Sequence, residues 1–398
     1  MDRITAVLGV YKNLDLTKEF LLDMKTRFPK IPLAIGMLGN PSEYQEDLEK
    51  WVKKNGINAT LVGGKVKNVP FSMNWNSAIN AIKTERFVFL HNDMYLHDKF
   101  FEELTKDLYF TGPGYFRLYT TIEPLENQGF TRPGKIVAPF GHTREEFDLQ
   151  RFNAYVEKLL AKDHPTVFGY GFYLAGYTDD LKKVGGFDHK TFNTVFCEDD
   201  DINIRIRLAG FKVVVSPRAV AYHFGSKTVR LLTDKSMSDL EIESNRKFSR
   251  KWGFEARFLW STGYETSEDL WIGTEKILFQ FGEGYNPTFM DVANTEPLVD
   301  YIEFDPKKLD MGKYFDDADL SKKLLREEYD IMITQTGPAE FSRLAYLIGA
   351  LRFQRKHLKP GTVLIGPYLV DVFNVQSESR VDQENYLSLV KGKSYEIK

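Results

Sequence analysis

The alternation of strand and helix patterns over the first hundred residues constrains the fold most. Four short apolar segments are predicted as strands: 4–10, 33–37, 60–62 and 87–90. Between the first two, Leu16, Phe20 and Met24 recur at four-residue spacing, which is typical of a helix. Such alternation predicts a mainly parallel sheet with helices on both faces. Ligands bind at the carboxyl ends of strands in such sheets, which makes the residues after each strand candidates for a site.

Two domains are predicted for this chain of 398 residues. Residues 105–165 are rich in glycine and proline, and we predict an irregular insertion that carries substrate contacts. Residues 265–330 hold 17 Asp and Glu against 7 Lys and Arg, a change in character from the chain before them. We therefore predict a larger α/β domain over 1–264 and a smaller, accessory α/β domain over 265–398. In the second domain, strands are predicted over 331–333 and 363–365, and a helix over 344–353.

Charge and composition exclude several functions. The chain has 53 Lys and Arg against 56 Asp and Glu, so it is not a polycation that coats nucleic acid. Its apolar runs are as short as strands and do not approach the 18 or so residues of a membrane span, which predicts no integral membrane association. Met1 is followed at once by a strand pattern rather than a signal peptide. A single cysteine, Cys197, excludes a disulfide framework and fits a cytoplasmic location.

Seven segments carry polar motifs at or near the ends of predicted elements. They are residues 4–13 (ITAVLGVYKN), 68–79 (NVPFSMNWNSAI), 87–93 (FVFLHND), 171–188 (GFYLAGYTDDLKKVGGFD), 198–210 (EDDDINIRIRLAG), 217–223 (PRAVAYH) and 245–253 (NRKFSRKWG). In kind and order, these segments resemble the motifs of family 2 glycosyltransferases, over about residues 1–255. The resemblance implies the nucleotide-sugar-binding fold called GT-A, a mixed sheet flanked by helices. It also implies transfer of a sugar from a nucleotide-sugar donor to an acceptor hydroxyl.

A metal site is implied by the same resemblance. Taken alone, a carboxylate after a strand and a half-buried histidine are common in proteins without a metal. The resemblance implies that Asp93 and His223 bind Mn²⁺ or Mg²⁺, which neutralises the departing pyrophosphate. Imidazole suits Mn²⁺ better than Ca²⁺. His91 stands where the family usually has an acidic residue, and we interpret it, with Asn92 and Asp93, as part of the nucleotide-sugar site.

Four consecutive carboxylates, at 198–201, begin a predicted helix. Helix capping and the helix dipole explain one or two of them. Four in a row repel one another, which raises at least one pKa and favours proton acceptance near neutral pH. The resemblance implies that Asp199 is the general base of an inverting transfer and that Glu198 orients this base or contacts the acceptor.

The remaining candidate residues also come from the resemblance. The implied nucleotide-sugar contacts include Tyr11, Asn68, Asn76 and Gly171. The implied diphosphate or acceptor contacts are Arg205, Lys251 and Trp252. Residues 35–38 lack the acidic residue that the family tends to place after the second strand. Recognition of the nucleotide base is therefore expected to differ from that in the family. A UDP-sugar is the default expectation for the donor, and it comes from the resemblance alone.

Several alternatives stay open. The acceptor is a saccharide or, as in phage DNA-modifying glycosyltransferases, a hydroxymethylated base in DNA, which requires a flipped nucleotide and a basic groove. A binding-only protein without turnover is another alternative.

The C-terminal region faintly resembles a class I methyltransferase, most clearly over 357–365 (HLKPGTVLI), although its glycine loop at 282–284 matches poorly. We favour a degenerate Rossmann-like accessory module over an active methyltransferase. The sequence does not predict the oligomeric state.

Overall fold

The computed structural model describes most of the first 225 residues and short stretches beyond them. The described residues are 4–65, 69–124, 133–169, 171–192, 195–225, 240, 244, 247–248, 251, 258–262, 299–303, 331–335, 337, 347, 351 and 359–372. The chain divides into two compact units, and the division falls between Ser244 and Asn245. None of the helices in this described part combines the length and the apolar character that crossing a bilayer requires.

The first unit is a mixed α/β structure. Its strands are β1 (Ile4–Gly9), β2 (Leu33–Gly36), β3 (Ala59–Val62), β4 (Arg86–Phe89), β5 (Met94–Leu96), β6 (Tyr115–Glu123), β7 (Lys135–Val137), β8 (Leu174–Tyr177) and β9 (Lys212–His223). Its helices are α1 (Leu14–Arg27), α2 (Ser42–Lys54), α3 (Phe71–Asn80), α4 (Phe100–Thr111), α5 (Leu149–Leu160), α6 (Thr178–Val184) and α7 (Glu198–Leu208). The predicted fold class, a mixed sheet flanked by helices, is confirmed.

One reversed strand near the middle of the sheet decides which residues meet at its edge. The strand order is β3-β2-β1-β4-β8-β6-β9-β5, and β7 pairs with β6. Strands β1 to β4 are parallel, and β8 is antiparallel to both β4 and β6. Because β9 is parallel to β6, the carboxyl ends of β1, β4, β6 and β9 lie at one edge. The residues that precede β8 reach the same edge.

The pleat of β1 shows how the helices cover both faces of the sheet. Ala6 and Leu8 belong to a core that includes residues of α1, α2 and α4. Val7, between them, belongs to a second core with residues of α3, α6 and α7. Successive side chains of a strand point to opposite faces, so these are the two faces of one sheet. The predicted arrangement of helices on both faces is present.

The region 105–165 is predicted as an irregular insertion, but its described residues, 105–124 and 133–165, are mostly regular. It contains the end of α4, the nine-residue strand β6 and the twelve-residue helix α5. Strand β6 (YFRLYTTIE) is rich in aromatic and β-branched residues, which suit a strand buried on both faces. Two of the glycines that suggested irregularity, Gly112 and Gly114, have positive φ at the turn before β6. The prediction was wrong for this region because turn residues were taken for a long loop.

Residues 212–216 and 220–223 form the two parts of one interrupted strand, β9. Tyr119 of β6 pairs with Ser216, and the next residue, Thr120, pairs with Val220. Residues 217–219 are thus left out of the ladder. Pro217 begins this interruption, and it has no N–H to donate to a neighbouring strand. The bulge ends before His223, the last residue of β9.

Gly36, at the end of β2, allows helix α3 to approach the sheet closely. A methyl group at its Cβ position would lie 2.1 Å from the Asn74 carbonyl oxygen. We expect Gly36→Ala to lower the free energy of unfolding by about 3 kcal/mol, because backbone must move to admit the methyl group. Urea denaturation measures this loss. In Gly337→Ala the added methyl meets Pro367 Cβ at 3.8 Å, and an equal loss in that variant would contradict the steric explanation.

The second unit contains a five-stranded sheet. Its strands are β10 (Phe258–Thr262), β11 (Val299–Glu303), β12 (Ile331–Gln335), β13 (Gly361–Ile365) and β14 (Tyr368–Val372). The order is β11-β10-β12-β14-β13, and the last strand in sequence runs antiparallel between β12 and β13. Both strands predicted here are present. The predicted boundary at 264/265, most of the predicted helix 344–353 and the glycine loop at 282–284 lie outside the described residues. The methyltransferase interpretation therefore stays a prediction.

Candidate active site

Four chain segments bring titratable side chains together at the carboxyl edge of the first sheet. Asp93 lies between β4 and β5, and His223 is the last residue of β9. Met94 pairs with His223 across the antiparallel β5–β9 ladder, which fixes Asp93 beside His223. Glu123 is the last residue of β6, and Tyr173 immediately precedes the reversed strand β8.

His91, Asp93 and His223 form a possible metal site. Asp93 Oδ1 lies 3.3 Å from His223 Nε2 and 3.9 Å from His91 Nδ1. One ligand atom from each residue lies within 4.8 Å of the other two. Atoms that bind one ion at about 2.1 Å, at roughly a right angle, are about 3 Å apart, so small side-chain adjustments suffice. Two imidazole nitrogens and a carboxylate oxygen suit a divalent ion such as Mn²⁺. The residues present therefore fit the predicted cofactor.

The two histidines of this cluster differ in charge. Burial lowers the pKa of His91 to about 4, against the opposing influence of the Asp93 carboxylate. Burial also disfavours the charged form of His223, but the carboxylates of Asp93 and Glu123 outweigh it and raise its pKa to about 10. His91 is thus neutral at pH 7. Its Nε2 atom is buried and makes no hydrogen bond to any described residue. A neutral imidazole is the form that binds a metal.

Glu123 and Lys135 extend the cluster behind His223, and the sequence analysis did not single out either residue. Glu123 Oε1 lies 3.3 Å from His223 Nδ1, and Glu123 Oε2 lies 2.8 Å from Lys135 Nζ. Burial raises the pKa of Glu123, but His223 and Lys135 more than compensate and lower it to about 2. Glu123 is therefore a carboxylate at neutral pH. The Tyr173 hydroxyl also contacts His223 Nδ1, at 3.0 Å.

Three aromatic side chains pack around the imidazole ring of His91. The centroid of its ring lies 4.6 Å from that of Phe172, 5.7 Å from that of Tyr173 and 5.8 Å from that of Trp75. A side chain at Gly9 would meet the Trp75 indole at 2.7 Å, so the end of β1 has room for hydrogen alone. This packing fixes the His91 ring beside Asp93 and covers much of its surface.

The second half of the site is the carboxylate pair at the start of α7. Phe196 and Cys197, just before it, have positive φ angles of 74° and 64°, a strained conformation for residues other than glycine. Glu198 is buried, and its Oε2 has no hydrogen-bond partner among the described residues. Burial and the neighbouring Asp199 carboxylate raise the pKa of Glu198 to about 8. The predicted like-charge repulsion is therefore present, and it acts on Glu198.

Glu198 is expected to make stability depend on pH. Its pKa of about 8 in the folded state lies above the ordinary 4.5, so folding favours the protonated form. That stabilisation is complete below pH 4.5 and is lost as the pH rises to 8. We expect Glu198→Gln to be more stable than the wild type by about 4 kcal/mol at pH 8 and nearly equal to it at pH 4.5. Thermal denaturation across this range tests the difference. The exposed Glu46→Gln is the control, and an equal pH dependence in it would contradict the prediction.

The segment 171–173 links the two halves. Asn203 of α7 donates a hydrogen bond through Nδ2 to the Gly171 carbonyl at 3.0 Å and another to the Asp199 carbonyl at 2.6 Å. The next residue, Phe172, packs on His91, and Tyr173 contacts His223. Gly171 has φ of +149°, a conformation that favours glycine. The start of α7 is therefore tied to the strand edge that carries the possible metal site.

Three further predicted residues bind other parts of the protein. Asn76 binds the Phe187 backbone through both its amide nitrogen and its oxygen, at 2.7 and 2.8 Å. Asn92 donates to the Thr17 hydroxyl of α1 at 2.9 Å. Arg205 pairs with Asp201 at 2.8 Å and donates to the Val184 carbonyl. These contacts brace loops and helices around the site.

The other predicted residues are less closely defined. The Tyr11 ring lies beyond β1, and the Lys12 ammonium is 5.3 Å from its centroid. Lys251 is a half-buried helical residue of the second unit. Asn68 and Trp252 lie outside the described residues.

Three known structures have a chain trace similar to that of this protein. The mannosyltransferase PcManGT from Pyrobaculum calidifontis, in complex with GDP-Man and Mn²⁺, matches with a TM-score of 0.40 and 14% identity over 63% of each chain. GalNAc-T7 with UDP, GalNAc and Mn²⁺ matches with a TM-score of 0.46 and 10% identity, over 82% of this chain and 58% of that one. TarS residues 1–349 from S. aureus matches with a TM-score of 0.41 and 13% identity, over 94% and 97%.

This chain spans about three fifths of the length of the first two structures, and all three TM-scores are below 0.5. The sequence matches no family model and no curated protein sequence.

Proposed function

We propose that the first unit is the catalytic domain of a metal-dependent glycosyltransferase that uses a nucleotide-sugar donor. The main support for this proposal is that His91, Asp93 and His223 lie together at the strand edge. Residues 171–173 connect this cluster to the start of α7. In this arrangement a bound cation can interact with the diphosphate of the donor, and the carboxylates of α7 can accept the proton of the acceptor. The order of the seven motifs supports the same function. In this proposal the second unit is an accessory module.

His91, Asp93 and His223 hold the divalent cation in this proposal. The bound ion supplies positive charge that stabilises the departing nucleoside diphosphate. Two imidazoles in the ligand set favour Mn²⁺ over Mg²⁺, because magnesium prefers oxygen ligands. His91 thus takes a metal-binding role that the sequence analysis gave to Asp93 and His223 alone.

Asp199 is the proposed general base. It accepts the proton of the acceptor hydroxyl as that oxygen bonds to the anomeric carbon and the bond to the diphosphate oxygen breaks. A single displacement of this kind inverts the anomeric configuration. Glu198, whose pKa of about 8 leaves it largely protonated at pH 7, donates a hydrogen bond that orients the acceptor or Asp199.

A saccharide is the favoured acceptor. A DNA acceptor requires a basic groove, and the region 105–165, predicted to carry substrate contacts, is one place to look for it. Three of its cationic side chains, Lys106, Lys135 and Arg144, instead pair with carboxylates of the same unit. That neutralisation weakens the DNA alternative. Salt-sensitive binding to duplex DNA would favour the alternative.

A donor screen tests the proposed function. UDP-, GDP-, CDP- and dTDP-sugars are incubated with the protein, with and without Mn²⁺, and release of nucleotide is measured. We expect slow, Mn²⁺-dependent release from one donor, with a UDP-sugar as the first candidate. If no donor is hydrolysed and no nucleotide raises the melting temperature, the proposal fails. Binding with no turnover, even with saccharide acceptors present, supports the binding-only alternative.

A further inference from the structure

A buried ion pair lies directly behind His223. The side chains of Glu123 and Lys135 are 13% and 7% exposed, and their charged atoms are 2.8 Å apart. Removing two charges from water costs free energy, and the attraction within the pair does not always repay it. Strand β7 places Lys135 beside β6 by pairing with it in parallel, so that Lys135 lies opposite Thr121. This short strand therefore places the lysine beside Glu123, the carboxylate that contacts His223 Nδ1.

The contacts of His223 define which of its nitrogens carries a proton. A carboxylate accepts hydrogen bonds and donates none, so the Glu123 contact at 3.3 Å requires a hydrogen on His223 Nδ1. Metal binding requires that the other nitrogen, Nε2, give up its proton, so that its lone pair is free for the ion. This atom faces Asp93 Oδ1 at 3.3 Å, inside the possible metal site. Glu123 thus selects the tautomer whose free nitrogen points toward the cation.

We propose that Glu123, held in place by Lys135, is a positioning residue that fixes the ring and the tautomer of His223 for binding a divalent cation. This role rests on the metal site of the proposed function, and it adds Glu123 and Lys135 to the residues that support that site. Histidine ligands commonly donate their second N–H to a carboxylate, and loss of such a partner costs about 10- to 100-fold in metal affinity. Lys135 does not contact the cation but keeps the Glu123 carboxylate turned toward the imidazole.

The test is a Mn²⁺ titration of the full chain without any donor, in which electron paramagnetic resonance reports the free ion. We expect Glu123→Ala to raise the Kd for Mn²⁺ by about 10- to 100-fold. Glu123→Gln should fall between the alanine variant and the wild type, because an amide oxygen still accepts from Nδ1. Lys135→Met should weaken binding less than Glu123→Ala. Titrations are made well below each variant's melting temperature, so that lost stability does not enter the Kd.

The chain provides a matched control in a second trio of lysine, glutamate and histidine. Glu157 lies 3.0 Å from Lys99 Nζ and 3.8 Å from His97 Nε2, and His97 is buried. Glu157→Ala removes the carboxylate that contacts this buried histidine and this lysine, and both of them lie outside the metal site. We expect it to leave the Kd for Mn²⁺ within twofold of the wild type.

The outcomes separate this inference from the proposed function. If folded Glu123→Ala and Glu123→Gln both bind Mn²⁺ within twofold of the wild type, the positioning role is overturned. An equal loss in Glu157→Ala also overturns it, because the effect would then be general. If the wild type binds no Mn²⁺, the positioning role and the proposed metal site fail together. If Mn²⁺ binds as expected but the donor screen gives no turnover, the proposed transfer reaction fails and the positioning role stands.

Discussion

Asp199→Asn is expected to lower kcat for sugar transfer by about 10³-fold, because the asparagine amide cannot accept the proton of the acceptor hydroxyl. The side chain keeps its size, so the helix start and the neighbouring Glu198 retain their packing. Donor affinity should stay within about twofold of the wild type, since the possible metal site is formed by other residues. Steady-state kinetics with the donor and acceptor found by screening, together with nucleotide binding by calorimetry, measure both quantities.

Asp200→Asn is the matched control for this prediction. It removes the same charge from the same helical turn of α7, and Asp200 has no role in the proposed chemistry. We expect its kcat to stay within about threefold of the wild type. If both variants lose activity equally, the four carboxylates act through their summed charge, and Asp199 is not the base. If Asp199→Asn transfers sugar at the wild-type rate, the base is another residue.

Asp93→Asn is expected to give the second large effect, a loss of about 100-fold or more in Mn²⁺ affinity. Asp93 Oδ1 lies nearest to both histidines of the metal site, and its charge is the anionic part of the ligand set. A neutral amide oxygen is a far weaker ligand for a divalent ion than a carboxylate. Donor hydrolysis should fall by about 10³-fold at a fixed Mn²⁺ concentration, because less charge remains to stabilise the leaving group.

High Mn²⁺ distinguishes a weakened site from a destroyed one. If Asp93→Asn has lost affinity alone, excess Mn²⁺ restores part of the hydrolysis. Asp98→Asn removes an exposed carboxylate that pairs with Arg27, and it should behave as the wild type. Unchanged Mn²⁺ affinity in Asp93→Asn would contradict the assignment of Asp93 as a ligand.

The sequence predicted the first ninety residues well because their elements follow one another in simple alternation. Each strand there is bounded by a turn or by a helix with clear periodicity, and the structure follows it within one or two residues at most ends. The region 105–165 was misread because strand β6 is buried on both faces and shows no alternation of apolar and polar residues. Polar residues such as Arg117, Thr120 and Thr121 interrupt its apolar residues without a regular period, so the sequence gives no clear strand signal there.

The sequence placed Asp93 and His223 in one site through motif order, and the structure brings them within 3.3 Å. Glu123, Lys135 and Tyr173 were missed because their proximity depends on the sheet order. Tyr173 reaches the site only because β8 is reversed, and Lys135 only because β7 pairs with the end of β6. One signal was available for Glu123, since it is an acidic residue at the end of a segment rich in aromatic and β-branched residues. Such residues lie at the carboxyl edge wherever the strand is parallel to its neighbours.

The interrupted strand β9 has a consequence for how this protein folds. Its last residue, His223, meets Glu123 from a point 100 residues earlier in the chain, and it joins β5 at the outer side of the sheet. A cation site assembled from such distant segments cannot exist in a partly folded chain in which β9 has not joined the sheet. A ligand that binds the native state alone shifts the folding equilibrium toward that state. Mn²⁺ bound at this site would therefore stabilise the native state by holding β9 in register with β5 and β6.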